Sequence, residues 1–146
     1  MRLNQDPRTF TVFTEIKIIE QLANLRIQRA LPEGLQVSHF AVLNHFSNLG
    51  GEKTPAQLAK VFQVTKGAMT NTIARLEEFG CVRVRSDSAD KRRKIVSLTA
   101  KGQRIREEAM ASVGPVLGEI TEGFGRDRMR QMLPFLRDLR IFLSAN

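Results

Sequence analysis

The chain has 146 residues, 42% of them hydrophobic and 26% charged, which fits one globular domain or two small lobes that share a core. No apolar run approaches the roughly 18 residues of a membrane-spanning helix, and the N-terminus has no apolar signal core, so we expect a cytoplasmic protein. The single cysteine, Cys81, excludes an intramolecular disulfide and fits a reducing compartment, although an intermolecular bridge stays open.

The first two predicted elements are helices. Residues 10–30 carry apolar residues at close to helical spacing, and their stripe is wider than a lone surface helix needs. Such a helix requires cover on two sides. Residues 37–49 repeat the helical pattern and end at Gly50. The residues of this second helix that we expect to point inward are Phe40, Leu43, Phe46 and Leu49.

A compact helix-start signal follows. Thr54 can cap a helix, Pro55 fits its first position, and Gln57 can complete a capping box. After a short turn, Thr65 can cap another helix that closes at Gly80. Two short helices joined by a tight turn predict a helix-turn-helix.

The second helix of this pair has two different faces. Met69, Ile73 and Leu76 share one face and would pack on the preceding helix. The opposite face and its flanks carry small or hydrogen-bonding side chains: Gly67, Ala68, Thr70, Asn71, Ala74 and Arg75. Such a surface could enter a major groove and reach base edges. The alternative is an ordinary amphipathic helix with a polar outer face.

Two strands and a charged loop come next. Residues 81–86 and 94–99 alternate apolar and polar side chains, so "DSADKRR" between them is predicted to be a hairpin loop. Residues 83–106 hold nine of the 23 basic residues and two of the 15 acidic ones. This local excess indicates an anionic partner, nucleic acid first and membrane surface second. A solvated, solubilising hairpin is the alternative.

The remaining chain is predicted to be helical. Thr99 can cap a helix over about 100–122, and a last helix carries Met129, Met132, Leu136, Leu139 and Leu143 as a heptad seam. Pro134 predicts a kink or a late start in that helix. These stripes, with that of residues 13–27, provide too much apolar surface for one small core, which predicts a dimer.

We expect no enzyme, metal site or cofactor. His39 and His45 are six residues apart on one helix, so they point in different directions and cannot chelate one metal. We expect them to pack within the helix or lie at the surface. No nucleophile–base arrangement or phosphate-binding glycine loop is present in the sequence.

Residues 35–102 resemble the multiple-antibiotic-resistance regulator (MarR) family of bacterial winged-helix transcription factors. The resemblance is carried by "TPAQLAKVFQVTKGAMTNTIARLEEFG", "CVRVRS" and "DKRRKIVSLTAKG". The wing signature of the family pairs an aspartate with an arginine two residues on, before a strand that ends Leu-Thr-x-x-Gly. Asp90 and Arg92 occupy those two places here, and Gly102 ends the signature.

The resemblance implies a mainly α-helical fold with a small β-hairpin wing. Residues 1–34 and 103–146 would form a helical dimerisation region around the winged helix-turn-helix of residues 35–102. It implies a homodimer on a palindromic double-stranded DNA operator, with repression the expected effect. A small anionic or aromatic effector would bind between the helical lobe and the winged domain. The predicted DNA contacts are Thr65, Lys66, Gly67, Thr70, Asn71, Arg75, Asp90, Lys91, Arg92, Arg93 and Lys94.

Within the wing, the resemblance makes Arg92 the minor-groove arginine, and Asp90 could fix its guanidinium by a paired hydrogen bond. Ala89 departs from the arginine that many members carry there, which would weaken that contact or shift it onto Arg93. The reactive N-terminal cysteine of the redox-sensing branch is missing, and we expect Cys81 to be a buried packing residue. Two alternatives stay open: a non-specific architectural DNA-binding protein, and a dimeric adaptor that keeps the winged fold.

Overall fold

In a computed structural model of the chain, which describes residues 6–145, helices and short strands follow the predicted order. The helices are α1 (Pro7–Ala30), α2 (Val37–Leu49), α3 (Pro55–Phe62), α4 (Lys66–Glu78), α5 (Ala100–Phe124) and α6 (Arg126–Ser144). The strands are β1 (Glu52–Lys53), β2 (Val82–Ser86) and β3 (Lys94–Leu98). The mainly α-helical fold with a β-hairpin wing is therefore confirmed.

Local capping sets most helix starts. Thr54 Oγ1 accepts a hydrogen bond from the Gln57 amide at 3.1 Å, and Gln57 Oε1 accepts one from the Thr54 amide at 2.8 Å, which completes the predicted capping box. Thr65 Oγ1 caps α4 by accepting from the Ala68 amide at 3.1 Å. The first helix begins earlier than predicted, because Asp6 caps it and Pro7 occupies its first position.

The end of α4 shows why Gly80 stands there. Gly80 has a φ of 73°, a left-handed conformation that side chains with a Cβ disfavour. Its amide donates to the Glu77 carbonyl at 2.9 Å, and the Cys81 amide donates to the Leu76 carbonyl at 2.8 Å. This Schellman arrangement satisfies the last carbonyls of the helix and turns the chain into β2.

One hydrophobic core joins the helix-turn-helix, the sheet and the first half of α5. Its fully buried side chains include Leu43, Phe46, Leu58, Leu76, Val96 and Val113. The prediction that Leu49 points inward is wrong: it is 68% exposed at the last position of α2. The buried face of α2 consists of His39, Val42, Leu43 and Phe46, so the helix is rotated relative to the predicted stripe.

The sheet contains a third strand that the sequence did not predict. Its order is β1-β3-β2 and both pairings are antiparallel, with Val84 opposite Val96 and Glu52 opposite Ser97. Because β1 has only two residues, it shows no alternating pattern that could be recognised. It joins the edge of the wing to Thr54, the cap of α3.

The Leu-Thr-x-x-Gly segment locks α5 against the end of α4. Thr99 Oγ1 donates to the Gly80 carbonyl at 2.6 Å and also accepts from the Gly102 amide at 3.0 Å, which caps α5. A Cβ on Gly102 would overlap the Cys81 carbonyl oxygen and lie 2.7 Å from Leu98 Cδ1. Glycine is required here because the helix passes directly over the backbone of Cys81.

The N-terminal and C-terminal helices remain largely uncovered. Among the described residues, α1 and α6 contain no buried side chain, although Ile27 and Ala30 at the end of α1 pack against the core. Of the two outcomes predicted for Pro134, the late start does not occur, since α6 begins at Arg126 and includes the proline. Two long helices thus present apolar side chains to solvent.

Candidate nucleic-acid interface

The outer face of α4 is available for contact. Met69, Ile73 and Leu76 are buried against the core, as the sequence predicted. The side chains that face away are all exposed: Thr65, Lys66, Gly67, Thr70, Asn71, Ala74 and Arg75. The helix packs on α2, α3 and β2, and its buried residues Met69, Ile73 and Leu76 share one face. Its free face is therefore a convex, polar ridge of the size that a major groove accepts.

Three residues near the start of this ridge differ in the hydrogen-bonding groups and the free space that they present to a ligand. The Thr70 hydroxyl donates to the Lys66 carbonyl at 2.8 Å, which leaves its oxygen free to accept. The side-chain amide of Asn71 makes no hydrogen bond to any residue that the structure describes. A Cβ on Gly67 would meet nothing within 4 Å, so glycine here leaves room for something outside the chain.

Arg75 is held by its own helix. Its Nη1 lies 3.2 Å from Glu78 Oε2, and its guanidinium carbon lies 5.0 Å from the centre of the Phe79 ring. Both contacts draw the side chain toward the C-terminal end of α4. Base-reading side chains of recognition helices usually lie near the N-terminal end. Arg75 is one of the predicted DNA contacts on this helix. Its contacts with Glu78 and Phe79, which the sequence did not reveal, would compete with DNA for its side chain.

The hairpin tip presents the basic cluster to solvent. The side chains of Lys91, Arg92, Arg93 and Lys94 are all exposed, and that of Arg92 is 96% exposed. Lys94 Nζ donates to Ser86 Oγ at 3.2 Å across the base of the loop, while Arg93 Nη1 lies 4.0 Å from Asp87 Oδ2. None of the four is turned into the core, so the cluster can meet a polyanion.

Asp90 acts on the backbone of the loop more than on the Arg92 guanidinium. Its Oδ1 accepts from the Arg92 amide at 3.1 Å, whereas Arg92 Nε lies 3.7 Å from the same oxygen. The expected paired hydrogen bond to the guanidinium is therefore absent. The Arg93 amide donates to the Asp90 carbonyl at 2.9 Å, which closes the turn. Asp90 shapes the tip and leaves the Arg92 side chain extended.

One basic residue of the wing is already paired. Arg85 Nη2 donates to both carboxylate oxygens of Glu52, at 2.9 and 2.8 Å. The hydrogen bonds and the charge of Glu52 raise the pKa of the Arg85 guanidinium. Sequence reasoning counted Arg85 within the local excess and missed Glu52, which lies 33 residues away in the chain. Only the position of β1 brings the two together.

His39 and Cys81 have packing roles. His39 is buried, its Nδ1 accepts from the Gln36 amide at 3.1 Å, and its ring lies edge-on to Phe79 at 6.2 Å. Burial, and then the charge of Arg75, lower the pKa of His39. Cys81 is fully buried, and that burial raises the pKa of its thiol, as expected for a packing residue.

A cleft of about 860 Å³ opens between α3 and the helical pair α1 and α6. Its apolar walls include Phe13, Ile16, Val61, Leu136, Leu139 and Leu143. Lys60 and Arg140 supply positive charge at its lining. The cleft thus adjoins both the helical lobe and the first helix of the helix-turn-helix, which is where the family resemblance placed one.

Comparison with known proteins agrees with this geometry. The sequence model of the MarR family matches residues 33–93. A cysteine-to-serine mutant of MarR from E. coli, solved in complex with operator DNA, is similar with a TM-score of 0.79 and 25% identity over 94% of this chain and 99% of that chain. Wild-type apo MarR from E. coli is similar with a TM-score of 0.72 and 27% identity, over 86% of this chain and 94% of that chain.

The transcriptional regulator BldR from Sulfolobus solfataricus shares the fold, with a TM-score of 0.79 and 23% identity over 99% of this chain and 100% of that chain. These similarities extend beyond the winged domain into the terminal helices. No helix within residues 6–145 combines the length and the hydrophobicity that crossing a membrane requires.

Proposed function

Because the chain belongs to the MarR family of winged-helix, DNA-binding transcriptional regulators, we propose that it binds a specific double-stranded operator as a homodimer and represses transcription there. One observation carries the proposal. The polar face of α4 and the four cations of the hairpin tip are exposed on elements fixed by one core. A double helix can therefore meet both surfaces at once.

The two surfaces have different tasks in this proposal. Thr65, Lys66, Thr70 and Asn71 reach base edges or phosphates from α4, and Gly67 lets the backbone approach closely. The cations from Lys91 to Lys94 bind phosphates, with Arg92 entering the minor groove. Asp90 holds the loop in shape for that contact.

Homodimerisation is supported by the uncovered helices. Large apolar side chains on α1 and α6 are exposed to solvent. The exposed fractions are 77% for Phe10, 58% for Leu22, 75% for Phe135 and 56% for Ile141. Apolar patches of this kind are rarely left open on a monomer. A second copy that presents the same helices would cover them with two-fold symmetry. Half-sites about 10 base pairs apart follow from that symmetry.

We propose further that a small amphipathic anion regulates DNA binding from the cleft between α3 and the helical lobe. Its apolar walls suit an aromatic or aliphatic body, and Lys60 and Arg140 suit a carboxylate. Phe10, Leu22, Phe135 and Ile141 lie outside the lining of this cleft. Phe13, Leu136, Leu139 and Leu143, which belong to the stripes that predict the dimer, line it, so the cleft would adjoin the dimer interface. Salicylate is a suitable probe: it should weaken operator binding by the native chain, and Lys60→Ala should reduce that effect.

Selection of bound sequences from random duplex DNA tests the main proposal. A specific regulator should enrich one palindrome and prefer it over unrelated DNA by about a thousandfold or more. Enrichment without a shared sequence would favour an architectural protein. If Arg92→Ala leaves duplex affinity unchanged and the dimer intact, the adaptor alternative is favoured.

A further inference from the structure

The wing is tied to the helix-turn-helix by a side-chain link across the sheet. On the outer surface, the Arg85 side chain of β2 passes over the central strand β3 and binds the Glu52 carboxylate of β1. Arg85 stands one residue before the end of β2, where the loop to the tip begins. Glu52 stands two residues before Thr54, the cap of α3.

This link acts where the wing has little other support. The apolar face of the hairpin is anchored near its base, where Val82 and Val96 are buried. Toward the tip, Arg85 and Ser86 are exposed, and β1 pairs with β3 only at Ser97 and Val96. In addition to the β2–β3 ladder, the Glu52–Arg85 pair is thus a side-chain link between the distal half of β2 and the strand that precedes α3.

We propose that Glu52 is a positioning residue for DNA binding: by holding Arg85, it fixes the angle of the wing so that Arg92 meets the minor groove while α4 lies in the major groove. The inference rests on the proposed function. Removing a negative charge from a DNA-binding surface would ordinarily strengthen binding. The inference gives the Glu52 carboxylate the opposite role, in which its presence favours DNA binding.

The size of the effect is bounded by the strength of the link. The side chains of Arg85 and Glu52 are 44% and 50% exposed, and exposed ion pairs shift an equilibrium by about fivefold at most. If the unlinked wing samples other angles, the apparent affinity is the intrinsic affinity multiplied by the fraction of time that the wing spends at the competent angle. A loss of about three- to fivefold per half-site is therefore expected.

Simple electrostatics gives the opposite sign. Glu52→Gln removes a negative charge and frees Arg85 for a phosphate, so a protein without a positioning link would bind DNA more tightly. Glu77→Gln is the matched control: Glu77 is exposed on α4, and its side chain pairs with no residue among those described. That control should bind slightly more tightly than the native chain.

The experiment measures operator affinity at fixed salt for the full chain and for Glu52→Gln, Glu77→Gln and the charge swap Glu52→Arg with Arg85→Glu. It also measures the preference for A·T pairs at the flanks that Arg92 would contact. We expect Glu52→Gln to lose about three- to fivefold in affinity per half-site and to flatten the flanking preference. The swap should recover both, because it rebuilds the pair with the same net charge.

Tighter binding by Glu52→Gln, or a loss that the swap fails to recover, would overturn the inference. A general loss of folded protein would lower the active fraction without changing the flanking preference, so that preference separates positioning from stability. Arg92→Ala is measured alongside. If it has no effect, the proposed function fails; if it weakens binding while Glu52→Gln strengthens it, only the role of Glu52 fails.

Discussion

Replacing Gly102 with alanine should destabilise the fold. The new Cβ would overlap the Cys81 carbonyl oxygen and lie 2.9 Å from the carbonyl carbon and 2.7 Å from Leu98 Cδ1. Two of these atoms belong to the backbone, so no rotation of a side chain can relieve the overlap. The first turn of α5 would have to move away from the end of α4.

The magnitude follows from that movement. Overpacking a close contact typically costs about 1–3 kcal/mol. The shift would also stretch the bonds from the Thr99 amide to the Cys81 carbonyl, 3.1 Å, and from Thr99 Oγ1 to the Gly80 carbonyl, 2.6 Å, each worth about 1 kcal/mol. Alanine returns about 1 kcal/mol of helix propensity. We expect a net loss of about 2–3 kcal/mol.

Thermal and urea unfolding at equal protein concentration measure this loss, because the stability of a dimer depends on concentration. A loss of this size lowers the Tm by about 4–12 °C for a chain of this length. Gly67→Ala is the control, since a Cβ there meets nothing within 4 Å and should leave stability unchanged or slightly raised. If Gly102→Ala and Gly67→Ala have the same Tm and the same urea midpoint, the close approach of α5 to the Cys81 backbone does not constrain the fold.

Four further predictions follow from the interface, the helical lobe and the buried histidine. Arg92→Ala should weaken DNA binding and lower the slope of log affinity against log salt by about 2 per dimer, measured by titration at several salt concentrations; an unchanged slope would remove Arg92 from the phosphate contacts. Asn71→Ala should change which operator is selected from random duplexes, and an unchanged selection would place base reading elsewhere on α4. Phe135→Asp should shift the chain toward monomer in light scattering at micromolar concentration, since that side chain is 75% exposed on α6; a native chain that is itself monomeric would contradict the dimer. The folded state lowers the pKa of His39 below its ordinary 6.5, so the unfolded state binds the proton more readily and stability is lost as pH falls below about 6.5. His39→Gln keeps an acceptor for the Gln36 amide and should remove that part of the pH dependence in urea unfolding; an identical profile in both proteins would exclude His39 as its source.

Helix ends were predicted well because their causes lie within a few residues. Thr54 and Thr65 bond to amides three positions ahead, and Gly80 adopts the left-handed conformation that its position after α4 requires. The alternation of β2 and β3 likewise reports their shared buried face. These features are visible in any short window of the sequence.

Two of the errors concern contacts between distant segments, and a third is local to the hairpin turn. Leu49 matches the helical stripe of α2, yet it is exposed because the core lies toward Val42 and His39. The two residues of β1 become a strand only because β3 is beside them. The Asp90 side chain was expected to bind the Arg92 guanidinium, but the turn directs its oxygen to the backbone amide. In each case, the local sequence is compatible with more than one arrangement, and the geometry of the folded chain selects one of them.

The basic segment shows how far charge counting can lead. Residues 83–106 carry nine cations, but Arg85 is bound by Glu52, Arg106 donates to Asn44 at 2.8 Å, and the stem of Lys101 covers Gly80. Each of these stabilises the chain itself. The cations at the hairpin tip remain exposed, because their contacts, such as that of Lys94 with Ser86 and that of Arg93 with Asp87, all lie at the surface. Since interactions between exposed charges are screened beyond roughly 10 Å, what matters for a polyanion is where the turn holds its charges. Cations that bind other parts of the chain and cations that stay exposed are neighbours in the sequence. Only the partner that each one meets in the fold distinguishes the two kinds.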